Sequence, residues 1–128
     1  MSVKNSGKKI LIVEDERSIR QAIVKKLNRE GFQVIEEING LEGLLLAQKN
    51  KPDLILLDII MPEMDGVTML KKLRQDKWGK GAEVIILTNL TEATKEVELF
   101  KQGVKDYLIK SDWKISDLVK KIKNKLNS

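Results

Sequence analysis

The residues of this sequence best suited to chemistry are carboxylates that stand at the ends of apolar segments. The apolar run 54–57 stops on Asp58, and the run 10–13 is followed directly by Glu14 and Asp15. A buried strand has no packing reason to end on a carboxylate, because burying a charge costs free energy unless something compensates it. Thr88 and Lys110 end two further apolar segments. These five positions are the candidates for a functional site.

Their convergence depends on the fold, because ligands of an open α/β sheet bind beyond the carboxyl ends of the strands, where the winding direction reverses. If the first and third strands are neighbours, Glu14, Asp15 and Asp58 meet in one pocket. Thr88 and Lys110 then approach that pocket from the other side. A single site at one edge of the sheet is the expectation.

The chemistry of such a site follows from the residue types. Three carboxylates placed together repel one another unless a cation lies among them. Oxygen ligands without His or Cys suit Mg²⁺ better than zinc. A metal ion, the Lys110 ammonium and the Thr88 hydroxyl match the three outer oxygens of a phosphoryl group. The remaining carboxylate can then act as the nucleophile.

Five segments rich in Ile, Leu and Val predict the strands that would position these residues. The first, third and fourth are continuously apolar, as in central parallel strands, whereas the second alternates and predicts an edge strand. Stretches of helical period follow each strand, so we expect an α/β fold: a doubly wound five-stranded parallel sheet in the flavodoxin-like order 2-1-3-4-5. The predicted strands are 9–13, 32–38, 53–59, 83–88 and 106–110.

The predicted helices have recognisable starts and stops. The second, 40–50, follows Asn39 in a capping-box-like start with Glu42, and Pro52 prevents its continuation. The first spans about 15–30 with an apolar face, the third about 66–78, the fourth about 91–103, and the last carries a stripe of apolar residues. The apolar face of the first helix comprises Ile19, Ala22, Ile23 and Leu27. The apolar stripe of the last helix comprises Ile115, Leu118, Val119, Ile122 and Leu126.

Composition narrows the class of protein. The 128 residues suffice for one domain, predicted over 9–128 after a flexible basic tail at 1–8. The sequence has no cysteine, which excludes disulfides and indicates a reducing compartment, with the cytoplasm as the expected location. It has no histidine, the commonest general base at neutral pH. Chemistry must therefore use other side chains or a partner's groups.

The segments ILIVEDE, LILLDIIMPEMDG, VIILT and DYLIK stand in an order and spacing that resembles a response-regulator receiver domain of bacterial two-component signalling, in particular its single-domain, chemotaxis-regulator-like members. The resemblance covers nearly the whole chain. It implies that Asp58 is the phosphoacceptor and that Mg²⁺ is bound by Asp15, Asp58 and the main-chain carbonyl of Ile60. Glu14 would hold a metal-bound water.

The same resemblance implies that Thr88 and Lys110 grip the phosphoryl oxygens and that Tyr107 is an aromatic switch residue. The phosphoryl donor would be a phosphohistidine on a separate kinase or phosphotransfer protein, which fits the lack of histidine here. The implied protein is a phosphoacceptor rather than an enzyme. Phosphorylation would shift the population of a face formed by the fourth helix, fifth strand and fifth helix, which family members use to bind partners or to dimerise.

Two positions depart from the family pattern. Ser111 replaces the proline that usually follows the lysine, so a cis peptide bond is not expected there. Asn89 follows Thr88 where a smaller residue is common. These departures concern the loop after the fifth strand and the swing of Tyr107, rather than the metal pocket.

Other functions remain alternatives. A receiver-fold docking module that works without phosphorylation would explain Ser111 but not the complete set of acids, Thr88 and Lys110. A dinucleotide- or flavin-binding domain is disfavoured, because the first loop lacks the glycine-rich phosphate motif and its acids would repel a pyrophosphate. A metal-dependent phosphatase would need a general acid that the sequence does not supply.

The net charge of +5 raises the question of nucleic acid as a partner. Lysines at 120, 121, 123 and 125 fill the positions of the last helix that its apolar stripe leaves free. They are most simply a solvated face. No nucleic-acid-binding motif accompanies them, so nucleic-acid binding is not the expected function.

Overall fold

The computed structural model describes residues 7–59, 64–88, 101–104, 106–109 and 114–127. Five strands form one sheet: β1 (Lys9–Val13), β2 (Gln33–Glu37), β3 (Leu54–Asp58), β4 (Val84–Thr88) and β5 (Tyr107–Ile109). The helices are α1 (Arg17–Arg29), α2 (Gly40–Asn50), α3 (Gly66–Gln75) and the C-terminal helix (Ile115–Asn127). Most of the predicted fourth helix lies outside the described residues.

The sheet is parallel throughout and has the order β2-β1-β3-β4-β5. The predicted order is confirmed, and so is the prediction that the second strand is at an edge. Val13 of β1 pairs with Leu57 of β3, so Glu14, which directly follows β1, is level with Asp58, the last residue of β3. The winding reverses between β1 and β3, which is where the acids lie.

Successive side chains of the central strands point to opposite faces of the sheet, and both faces are buried. One face packs against α2 and α3, and the other packs against α1 and the C-terminal helix. The first set includes Leu11, Val13, Ile55, Leu57 and Ile86. The second set includes Ile10, Ile12, Leu54, Leu56 and Ile85.

The apolar face predicted for α1 needs one correction. Ile23 and Leu27 are buried and Ile19 packs against them, but Ala22 is exposed and Val24 is half-buried. Positions 22 and 24 lie on opposite flanks of Ile23, each about 100° around the helix. The sheet contacts the flank that carries Val24, and one turn earlier that flank carries Arg20.

Helix α3 ends earlier than predicted. The helix stops at Gln75, and Asp76 is extended, with φ −77° and ψ 141°. The Asp76 carboxylate accepts a hydrogen bond of 2.9 Å from the Gly79 amide, which opens a 3-10 turn over Gly79–Gly81. Aspartate favours this local alternative to the helix, because its short side chain competes for nearby backbone donors.

The guanidinium of Arg74 ties the end of α3 to two loops. Its Nε donates to the Gln102 carbonyl at 2.7 Å, and its Nη1 donates to the carbonyls of Gly79 and Ala82 at 2.7 and 2.8 Å. Burial lowers the pKa of Arg74, while the charge of Glu83 opposes this effect. The residue therefore links α3 to the turn that precedes β5.

The C-terminal helix buries Leu118, Val119 and Ile122, as its periodicity predicts. Its lysines are not simply a solvated face, because Lys123 forms an ion pair with Glu30, and Lys125 pairs with both Asp106 and Glu83. Burial lowers the pKa of Lys125, but hydrogen bonds to the two acids outweigh it and raise the pKa overall.

These contacts join the helix to α1 and to the residues before β4 and β5. None of the helices in the described ranges has the length and hydropathy needed to span a bilayer.

Candidate functional site

Three carboxylates meet at the carboxyl end of the sheet. Oxygens of Glu14, Asp15 and Asp58 all lie within 4.8 Å of one another. Glu14 is fully buried and Asp58 is 4% exposed, whereas Asp15 faces solvent. These are the two buried charged residues among the core residues that the structure describes. The predicted convergence of these three acids is therefore present.

The loop after β1 is fixed by its backbone. The Glu14 amide continues the ladder by donating to the Glu37 carbonyl at 3.0 Å. The Glu14 carboxylate accepts a hydrogen bond of 3.1 Å from the Glu16 amide, which stands just before α1. Glu14 therefore adds one more hydrogen bond to the β1–β2 ladder, while its carboxylate accepts from the residue that caps α1.

The other wall of the pocket is built by close packing of α3 against the end of β3. The Gly66 amide donates to the Ile59 carbonyl at 2.8 Å. The Asp65 side chain accepts from the Thr68 amide at 2.8 Å and so caps α3. The capped helix thus begins directly beside Asp58.

Two further predicted site residues lie on the neighbouring strands β4 and β5. Thr88 is the last residue of β4, and its Cα pairs with that of Ile109. Tyr107 begins β5, pairs with Ile86 and is 39% exposed. Ile60 and Lys110 lie outside the described residues, as do Asn89 and Ser111.

The residues present fit a hard divalent cation. The donor set is all oxygen, two of its three carboxylates are buried, and one is open to solvent. Buried carboxylates this close to each other repel, and a cation among them would offset the repulsion. Mg²⁺ prefers oxygen ligands and retains several waters, which suits a site with one open side.

Sequence reasoning missed Arg20. Its guanidinium lies 2.9 Å from the Glu14 carbonyl and 3.4 Å from the Asp15 carbonyl, measured from Nη1. Its Nε also contacts the Glu36 carboxylate at 3.0 Å. The available signal was its position one turn into the helix that follows the acids, on the flank shared with Val24.

A doubly wound parallel sheet with an acidic pocket at its topological switch point defines the class of open α/β domains whose ligand site lies beyond the carboxyl ends of the strands. The family comparison is more specific. The response regulator receiver domain family matches residues 10–123. The chain belongs to this family, whose general role is phosphorylation-dependent switching in two-component systems.

Curated and solved relatives agree with that assignment. The transcriptional regulatory protein SrrA of Staphylococcus aureus is 44% identical over 101 residues, which cover 79% of this chain and 41% of SrrA. The chain thus spans less than half the length of the curated relatives it matches.

Among solved structures, chemotaxis protein CheY4 of Vibrio cholerae has a TM-score of 0.84 and 32% identity, covering 91% of this chain and 97% of CheY4. The receiver domain of sensor histidine kinase PA1611 of Pseudomonas aeruginosa, described with a magnesium ion coordinated in its active-site cleft, has a TM-score of 0.86 and 26% identity. That match covers 96% of this chain and 100% of the other.

Proposed function

We propose that this protein accepts a phosphoryl group on Asp58 from a phosphohistidine donor, with Mg²⁺ bound beside it. The observation that carries the proposal is the cluster of Glu14, Asp15 and Asp58, whose oxygens lie within 4.8 Å of one another. A helix cap or a dipole contact would not require three acids at the ends of two adjacent strands. The proposed domain covers residues 9–128, preceded by a basic tail at 1–8.

In this proposal Asp15, Asp58 and the Ile60 carbonyl would hold Mg²⁺, and Glu14 would contact it through water. The bound ion would neutralise charge on the phosphoryl oxygens. Glu14 and Asp15 would contribute their ligands from the β1 side, and the loop geometry keeps both carboxylates beside Asp58. The protein would assist the transfer by positioning the reacting groups and by compensating charge, rather than by supplying a separate acid or base. It would assist its own dephosphorylation by the same two effects.

The transfer itself is a displacement at phosphorus. An Asp58 carboxylate oxygen forms a bond to phosphorus as the P–N bond to the donor imidazole breaks. The imidazole nitrogen keeps the electron pair of the broken bond and is the leaving group. Lys110 and Thr88 are proposed to contact the phosphoryl oxygens, compensating the charge that the new acyl phosphate carries on this edge of the sheet.

Receiver domains act with histidine kinases and downstream targets, and we propose the same classes of partner here. The output would be a population shift of the face formed by the predicted fourth helix, β5 and the C-terminal helix, with Tyr107 as the switch residue. That face would bind a protein target or a second copy of the chain. The absence of cysteine supports action in the cytoplasm.

Intact mass spectrometry after incubation with acetyl phosphate tests the proposal. Wild type should gain one phosphate adduct only when Mg²⁺ is present, and Asp58→Asn should gain none. Asp53→Asn is a matched control, because Asp53 directly precedes β3, at the opposite end of that strand from Asp58, and its carboxylate contacts the Lys9 amide. It should be phosphorylated like wild type.

An adduct that persists in Asp58→Asn would place the phosphate elsewhere and contradict the assignment. No adduct in wild type under any condition would favour the phosphorylation-independent docking module suggested by Ser111. An adduct that forms equally well without Mg²⁺ would remove the metal from the proposal.

A further inference from the structure

The Arg20 guanidinium binds backbone carbonyls of the loop between β1 and α1, rather than the carboxylates of that loop. We call this arrangement the Arg20 clamp. Arg20 is on α1, and its side chain is 13% exposed. Nη1 donates to the Glu14 carbonyl at 2.9 Å and, at a longer 3.4 Å, to the Asp15 carbonyl. These two carbonyls belong to the peptide units immediately before and after Asp15. One guanidinium therefore restrains both peptides that flank this residue.

The guanidinium is itself held from the opposite side. Its Nε donates to Glu36 Oε1 at 3.0 Å, and Glu36 lies on the neighbouring edge strand β2. Arginine suits this role, because its planar fork carries several donors in fixed directions. Lysine, a single flexible ammonium, could not reproduce the geometry.

We propose that Arg20 is a positioning residue for the cation site, setting the direction in which Asp15 presents its carboxylate. Asp15 is exposed, so packing does little to orient its side chain. Its orientation depends on the backbone, which the guanidinium fixes through the flanking carbonyls. Arg20 acts through Asp15 and Glu14 and contacts neither the nucleophile nor the phosphoryl group. The inference rests on the proposed function, because it assumes that the three acids bind Mg²⁺.

The electrostatic effect of removing Arg20 has the opposite sign from the positioning effect. Taking a positive charge away from a cation site should tighten Mg²⁺ binding by Coulomb's law. Loss of the clamp should weaken it, and removing groups that orient metal ligands commonly reduces metal affinity by about 10–100-fold. The sign of the change therefore separates the two roles.

The test is a MgCl₂ titration followed by two-dimensional NMR on wild type, Arg20→Gln, Arg20→Lys and Arg17→Gln. Arg17 is exposed at the start of the same helix, so its variant removes the same charge without touching the clamp. We expect the dissociation constant to rise about tenfold or more in both Arg20 variants. In Arg17→Gln it should stay the same or fall.

Phosphorylation by acetyl phosphate gives a second readout. In the Arg20 variants, the Mg²⁺ concentration for half-maximal rate should rise, while the rate at saturating Mg²⁺ should approach that of wild type. A purely structural role would lower the melting temperature of the metal-free protein without moving the Mg²⁺ midpoint. Arg20→Lys keeps the charge and the aliphatic stem, so it serves if Arg20→Gln fails to fold.

Unchanged or tighter Mg²⁺ binding in the folded Arg20 variants would overturn the inference. That result leaves the proposed function intact, because wild type would still bind Mg²⁺ and accept phosphate on Asp58. If wild type itself does not bind Mg²⁺, the proposed function and the positioning role fail together. The two failures are therefore distinguished by the wild-type titration alone.

Discussion

Gly66 lies against the backbone of Asp58 so closely that a Cβ at position 66 would be 2.3 Å from the Asp58 carbonyl oxygen. The same Cβ would lie 2.9 Å from the Cα of Ile59. Both neighbours are backbone atoms, which cannot move aside as a flexible side chain can. Glycine at this position thus allows the first turn of α3 to pack beside the proposed phosphoacceptor.

Gly66→Ala should therefore destabilise the protein and displace Asp58. Overpacking of a well-packed interior costs about 1–3 kcal/mol, and a contact with rigid backbone belongs at the upper end. Urea unfolding measures this loss in the free energy of unfolding. Gly81→Ala is the control, because its Cβ would meet nothing within 4 Å. An equal, small effect of both substitutions would contradict the packing argument.

The sequence predicted the strands well, because continuous apolar runs bounded by acids have few other interpretations. The span 9–13 predicted for the first strand and the span 40–50 predicted for the second helix agree with the structure residue for residue. The predicted cap at Asn39 is also present, with its side chain accepting from the Glu42 amide at 2.9 Å. Convergence of Glu14, Asp15 and Asp58 followed from the parallel order alone.

Other features depend on tertiary contacts that no local pattern encodes. The exposure of Ala22 reflects which flank of α1 faces the sheet. The ion pairs of Lys123 and Lys125 join residues far apart in sequence, so their periodicity could indicate only a polar face. The Arg20 clamp joins α1, β2 and the loop after β1. Two of its acceptors are backbone carbonyls, which every residue type has, so the sequence could not indicate them.

Asp58→Asn should stabilise the metal-free protein. It removes one of three clustered negative charges. Two charges about 4 Å apart interact by about 1 kcal/mol in bulk water and by about 4 kcal/mol near a protein surface. The melting temperature without Mg²⁺ should therefore rise relative to wild type. Excess MgCl₂ should stabilise wild type more than the variant and so reduce or reverse the difference. A variant that is less stable without Mg²⁺ would argue against repulsion within the cluster.

Arg74→Lys should destabilise the protein although the charge is retained. The guanidinium binds the carbonyls of Gly79, Ala82 and Gln102, and a single ammonium cannot bind all three. Hydrogen bonds to charged groups contribute about 1.5–3 kcal/mol each, so loss of one or two should be measurable by urea unfolding. Lys72→Ala, at an exposed position on the same helix, is the control. Equal stability of the two variants would refute the linking role.

The ion pair between Glu30 and Lys123 should contribute to stability in a pH-dependent manner. The hydrogen bond from Lys123 lowers the pKa of Glu30 below its ordinary value of 4.5, although burial opposes this effect. Because the folded-state pKa lies below the unfolded-state pKa, the contribution is fully present above about pH 5 and is lost as the pH falls through the folded-state value.

Glu30→Gln removes this contribution, so its melting temperature should fall less than that of wild type between about pH 5 and pH 3. The difference between the two proteins should be largest near neutral pH and should shrink on acidification. Glu42→Gln, at an exposed carboxylate on α2, serves as the control and should follow the wild-type curve. A constant difference between Glu30→Gln and wild type across this range would mean that the Glu30 carboxylate is not linked to folding through Lys123.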